Sequence, residues 1–99
     1  MVLIAVFTLI TAISGQNLYE LSGKVSDEKG VVLPGASVVL SSGKKGTVTD
    51  ADGHFSFSGL KPGTYLLSVS FVGYKTFRDT LEISAGQDVR IKMQPSVMT

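Results

Sequence analysis

Thr47-Val48-Thr49-Asp50-Ala51-Asp52-Gly53-His54-Phe55-Ser56-Phe57 is the stretch on which the fold of this chain turns. Two short runs of period two flank an Asp/Gly turn, the local pattern of a β-hairpin, with Phe55 and Phe57 on the inner face. Similar units recur along the chain with turn signals about every ten residues, the rhythm of an all-β sandwich.

Working outward from that stretch, residues 19–26 alternate. Tyr19, Leu21, Gly23 and Val25 share one face; Glu20, Ser22, Lys24 and Ser26 share the other, as in a half-buried antiparallel strand. Asp27-Glu28-Lys29-Gly30 supplies a polar turn, Val31-Val32-Leu33 a short apolar link, and Pro34-Gly35 a break before the next strand. There Ala36, Val38 and Leu40 alternate with Ser37, Val39 and Ser41, and Ser42-Gly43-Lys44-Lys45-Gly46 forms a loop.

On the far side, Lys61-Pro62-Gly63 places proline and glycine where a type II turn wants them. Tyr65, Leu67, Val69 and Phe71 then line one face, with Leu66 the large apolar residue opposite. After Gly73, residues 74–83 run on with Phe77, Leu81 and Ile83 on a common face. Asp79 falls on that face too, which predicts a bulge or a strand end. Ala85-Gly86-Gln87 turns the chain, Val89, Ile91 and Met93 alternate with Asp88, Arg90 and Lys92, and Pro95 closes the last strand. The pattern predicts an all-β fold: a small seven-stranded antiparallel β-sandwich of Ig-like or transthyretin-like topology.

The first residues read differently. Residues 1–13 are apolar apart from two threonines and carry no charge, and Ser14 and Gly15 follow. That matches a secretory signal peptide and is short for a membrane span, although no basic residue precedes Lys24. The division expected is a signal peptide over residues 1–16, a sandwich domain over 17–95, and the start of a linker over 96–99.

Composition excludes several functions. The chain has 99 residues, a formal net charge of +1 and no cysteine. No nucleic-acid footprint or polybasic membrane patch is present, and disulfides, thiolate metal sites and cysteine nucleophiles are ruled out.

The candidate chemistry is sparse. Asp50 and Asp52 invite a calcium loop, but counting from Asp50 the sixth residue is Phe55 and the twelfth Lys61, where such a loop needs glycine and glutamate. Capping of a tight turn by the Asp side chains is the reading preferred. His54 is the one histidine, and no second ligand stands at zinc-site spacing in the sequence. No Gly-x-Ser-x-Gly elbow and no phosphate-cradling glycine loop occur. The sequence therefore predicts no catalytic residue, no cofactor site and no metal site. Gly35, Gly53, Gly63 and Gly73 are read as turn or close-approach glycines, and Tyr65 and Tyr74 as corner tyrosines that bury a ring and bond through the hydroxyl.

Five segments follow one another in an order that carries more information than any of them alone. They are Leu21-Ser22-Gly23-Lys24-Val25-Ser26-Asp27 with Gly30; Leu33-Pro34-Gly35-Ala36-Ser37-Val38; Thr49-Asp50-x-Asp52-Gly53-x-Phe55; Leu60-Lys61-Pro62-Gly63-x-Tyr65; and Val72-Gly73-Tyr74-Lys75-Thr76. Over about residues 21–93 this series resembles the carboxypeptidase regulatory-like (carboxypeptidase D regulatory-like) domain. The resemblance implies a sandwich without activity of its own. It also implies a place behind the signal peptide and ahead of the plug and barrel of a TonB-dependent outer-membrane nutrient receptor of Bacteroidetes type, the tail over 93–99 resembling the linker into the plug. The expected function is then a non-catalytic periplasmic accessory domain. Its partners would be proteins of the periplasm or the parent receptor's plug and barrel, with no nucleic acid and no membrane insertion by the mature domain. The alternative is a folding or adhesion sandwich of an exported surface protein or metallocarboxypeptidase.

Overall fold

The computed structural model describes residues 17–41 and 45–96. Its strands are β1 (Tyr19–Asp27), β2 (Ser37–Leu40), β3 (Lys45–Val48), β4 (His54–Leu60), β5 (Gly63–Ser70), β6 (Phe77–Ile83) and β7 (Gln87–Met93), with no helix among the described residues. They build two facing sheets, ordered β4-β1-β7 and β3-β2-β5-β6. The seven-stranded sandwich expected from the alternation is the one that forms. The signal-like stretch over 1–16, Ser42-Gly43-Lys44 of the expected loop, and residues 97–99 of the linker-like tail lie outside the described residues.

Period two decides the core. Leu21 and Val25 of β1, Val38 and Leu40 of β2, Phe55 and Phe57 of β4, Leu67 and Val69 of β5, and Ile91 and Met93 of β7 are all buried. In each strand they are alternate residues, so each sheet turns one face inward and the two apolar faces close on each other. Phe55 and Phe57 meet edge to face with centroids 6.0 Å apart. Gly23 lies in the inward row of β1 for a steric reason. A Cβ there would stand 2.5 Å from the Phe55 ring and 2.8 Å from Val89 Cγ2, so the central strand leaves a gap that the ring fills.

The structure departs from the sequence reading at four places. The run around Asp50 is not a hairpin: β3 pairs with β2 in one sheet and β4 pairs with β1 in the other, so the chain changes sheets across the turn. The alternation of Thr47, Thr49, Phe55 and Phe57 reports which way side chains point and is blind to which strand lies alongside. Secondly, β1 runs antiparallel to β4 but parallel to β7, from the pair Leu21–Gln87 to the pair Asp27–Met93.

Thirdly, no bulge interrupts β6 at Asp79, which pairs in unbroken register with Leu67. Asp79 sits between the half-buried Phe77 and Leu81, yet it is exposed because β6 is the outermost strand of its sheet. An inward-pointing charge on an edge strand deters pairing with other chains. The irregularity instead lies in β4 against β1, between Tyr19 and Leu21, where Gly59 takes a φ of 70°.

Fourthly, Gly63 has a φ of 154° and is already paired to Ile83 as the first residue of β5. The third residue of a type II turn would need about +80°. The type II pattern appears instead at Phe71–Tyr74, where Gly73 has a φ of 90° and the Tyr74 N–H donates to the Phe71 carbonyl at 3.1 Å. Tyr74 therefore precedes β6 rather than opening it, and it bridges to Pro95.

Candidate functional site

Asp50 organises the turn that opened the sequence reading. Its Oδ1 accepts the N–H groups of Asp52 and His54, both at 2.9 Å. The Asp50 N–H donates to the His54 carbonyl at 2.9 Å, and the Gly53 N–H donates to the Asp50 carbonyl at 2.9 Å. The His54 amide, then the Asp52 amide, holds the Asp50 carboxyl below its ordinary 3.8, because both bonds favour the ionised form.

The same turn occurs a second time. Asp27 Oδ1 accepts the N–H groups of Lys29 at 2.8 Å and Val31 at 2.9 Å. The Asp27 N–H donates to the Val31 carbonyl and the Gly30 N–H to the Asp27 carbonyl, with Gly30 at a φ of 87° against 79° for Gly53. Asp-x-x-Gly-x is thus a structural unit used twice. Of the capping expected of Asp50 and Asp52, Asp50 does it and the Asp52 carboxylate accepts no such bond among the described residues, while Asp27 does the same work as Asp50. The sequence signal was present in the repeated spacing of aspartate and glycine.

Val25 stitches the two turns together: its N–H donates to the Gly53 carbonyl at 2.8 Å and its carbonyl accepts the Leu33 N–H at 3.0 Å. Thr49, just before Asp50, is buried at 4% exposure. Its hydroxyl accepts the Ala36 N–H at 2.8 Å and donates to the Leu33 carbonyl, which pins the Leu33–Ala36 segment from inside. The sequence shows Thr49 as a member of the Thr-Asp-x-Asp-Gly-x-Phe segment but not this buried role.

The turn also brings side chains together. Ligand atoms of Asp50, Asp52 and His54 lie within 4.8 Å of one another, all on exposed residues. Sequence spacing did not foresee His54 joining the two carboxylates, because it counted ligands along the chain rather than around a turn. The Asp50 carboxylate already serves two backbone amides, and the Asp27 turn is built as well with lysine and valine in the places of Asp52 and His54.

Among the described residues, no hydrogen bond joins a serine hydroxyl to His54 or the His54 ring to a carboxylate. Gly53 and Gly73 turn the chain as expected, and the Tyr65 hydroxyl donates to the Lys61 carbonyl at 2.7 Å, a true corner tyrosine. Tyr74 packs its ring against Phe71 with centroids 6.0 Å apart.

Shallow depressions among the described residues include two of note. One, of about 440 Å³, is lined by Gly35, Ser37, Ser70, Phe71, Val72, Tyr74 and Thr76. The other, of about 380 Å³, lies where β3 and β4 part and includes Val48, Asp50, His54 and Ser56. The flanks differ as well. β6 and β7 present Arg78, Asp79, Glu82, Asp88, Arg90 and Lys92, whereas β4 presents only His54, Ser56 and Ser58. Charges guard the β6–β7 side of the sandwich against strand pairing, whereas on the other side the edge strand β4 carries none and its neighbour β3 carries the exposed Lys45.

Two facing sheets joined by short cross-sheet turns define a small Ig-like sandwich module. The chain belongs to the carboxypeptidase regulatory-like domain family, whose model matches residues 20–96. It is 36% identical over 75 residues to TonB-dependent receptor P39 of Formosa agariphila, covering 76% of this chain and 7% of the receptor. It is 33% identical to TonB-dependent receptor SusC of Bacteroides thetaiotaomicron, covering 99% of this chain and 9% of the receptor. The chain thus spans less than a tenth of the length of the curated relatives it matches.

Among solved structures, a type II cohesin–X-dockerin complex of Acetivibrio cellulolyticus superposes with a TM-score of 0.70 at 21% identity, over 81% of this chain and 60% of that one. Hydroxyquinol 1,2-dioxygenase of Pseudomonas putida superposes with a TM-score of 0.71 at 10% identity, over 86% of this chain and 59% of that one. At such identities these likenesses speak for the fold alone.

Proposed function

We propose that this chain is a non-catalytic accessory domain of a TonB-dependent outer-membrane receptor, lying on the periplasmic side and acting through protein contacts. The observation that carries this reading is the relation, across nearly the whole sandwich, to TonB-dependent receptors of two organisms. The architecture supports it. Asp27 and Asp50 cap turns, the buried Thr49 ties backbone, and Gly23 and Gly53 serve close approaches, so these residues have structural duties. What the domain offers a partner is surface: the uncharged edge strand β4, and one largely apolar patch beside Ser96, the last described residue.

On this reading residues 1–16 direct export and are removed, and the domain itself inserts in no membrane. Intact-mass measurement of the exported protein should find a chain starting near Gln16 or Asn17. The decisive test deletes residues 17–95 from the full-length gene product. The barrel should still reach the outer membrane and bind its nutrient, while uptake or assembly falls. Unchanged uptake, assembly and abundance would overturn the reading, as would a gene that encodes no barrel.

A further inference from the structure

We propose that the apolar tip of the Phe71–Tyr74 turn docks the polypeptide that runs on from Ser96, so that the domain is seated on its own downstream neighbour instead of hanging free on a linker. This rests on reading the chain as the leading module of a receptor-length protein.

The first observation is Val72, which is 88% exposed, against 60% for Val48, the next most exposed large hydrophobic among the described residues. The turn itself has no use for a valine there. Type II geometry is set by Gly73, and the second position favours proline and accepts polar residues. Val72 stands with the half-buried rings of Phe71 and Tyr74 at the rim of the depression of about 440 Å³, whose lining holds no charged side chain. The lining is mostly apolar, with the hydroxyl residues Ser37, Ser70 and Thr76 but no charge, which favours a largely apolar occupant and gives a charged segment nothing to pair with.

The second observation is the exit of the chain. Pro95 bridges to Tyr74, the Lys75 N–H donates to the Gln94 carbonyl at 2.8 Å, and the Ser96 N–H donates to the Gly73 carbonyl at 2.9 Å. Backbone pairing therefore holds Ser96, the last described residue, against Gly73, the residue next to Val72. Whatever follows is the partner present at the highest local concentration, in the millimolar range for a short linker. A second copy of the chain would need a total buried area of about 1,200–2,000 Å² for a stable dimer. One exposed valine and parts of two rings fall well short of that, so the patch suits a tethered occupant.

The test places a photo-crosslinking phenylalanine analogue at Val72 of the full-length gene product, with Leu66 on the outer face of β5 as the control position. Adducts from Val72, but not from Leu66, should map to residues beyond 99 of the same polypeptide. Val72→Asp should speed protease cleavage after residue 96 about tenfold, the worth of one buried valine side chain. Val72→Ser should act in the same direction more weakly, and Leu66→Asp should leave cleavage unchanged. Adducts to another protein or to a second copy, or equal yields at the two positions, would overturn the docking. A receptor without these adducts defeats this inference alone, whereas a gene without a receptor defeats the proposed function as well.

Discussion

The Asp27 and Asp50 turns are built from the same bonds and lead to different places. After the first, the chain folds straight back, and Val32 bridges to Ser26 of the strand just left. After the second, the chain abandons the sheet of β3 and enters the sheet of β4. The residue inside each turn shows why. A Cβ on Gly30 would meet nothing within 4 Å, whereas one on Gly53 would stand 2.8 Å from the Val25 carbonyl oxygen and 3.0 Å from Val32 Cβ. One turn is a solvent-exposed loop end; the other is pressed into the seam that joins the sheets. A local motif fixes the reversal of the chain, and long-range packing fixes where the chain goes next.

The sharpest way to break that comparison is to give both glycines a methyl group. Gly53→Ala combines a positive φ with a clash against backbone and should cost on the order of 3 kcal/mol. Gly30→Ala bears the strained φ alone and should cost about 1–2 kcal/mol. Equal losses in urea melts of the two variants would show that the seam does not matter. Thr49→Val comes next. It keeps the shape but leaves the Ala36 N–H and the Leu33 carbonyl without their buried partner, at a cost of about 1–3 kcal/mol. Ser26, the residue before Asp27, is only half-buried, and Ser26→Val should change stability much less.

Asp50→Ala and Asp27→Ala each remove two acceptor bonds at the surface, and both should destabilise less than Gly53→Ala. A loss confined to one of them would mean that the two turns are not equivalent. The Asp50 carboxyl is held low in the folded state, so its stabilising effect is present above the ordinary value of 3.8 and is lost as pH falls below it through the folded value. Asp50→Asn keeps the acceptor oxygen and removes the titration. Melting temperature plotted against pH should therefore fall less steeply for the variant than for the wild type on the acid side. The smallest expected effect is none: calcium or zinc should leave the melting temperature unchanged. A calcium-dependent rise abolished by Asp52→Ala would make Asp50, Asp52 and His54 a site that the Asp27 turn lacks.

Much of the core could be read from alternation, because in a strand the facing of a side chain is a local property. Leu21, Val38, Phe55, Leu67 and Ile91 all point where period two puts them. Pairing is not local. Nothing within residues 47–57 says that β3 will choose β2 while β4 chooses β1, since that choice is made by the apolar faces of distant strands. Direction is equally hidden, and β7 alternates in the same way whether it runs with β1 or against it. Asp79 on an apolar face suggests a break only if β6 is central, and alternation does not say which strand lies at an edge. Of the candidate site, the capping by Asp50 was legible from residue type and spacing. The cluster with His54 was not, since it forms across the turn rather than along the chain.

The parallel pairing of β1 with β7 has a mechanical consequence. The two strands start at one end of the sandwich and finish at the other, with their ladder running from Leu21–Gln87 to Asp27–Met93. The chain thus enters at one pole and leaves at the opposite one. A pull between these poles slides the two strands past each other and loads the rungs of the ladder together, whereas a hairpin pulled at its open end gives way one rung at a time. Stretching single molecules from residues 17 and 96 would measure the force at which this ladder shears.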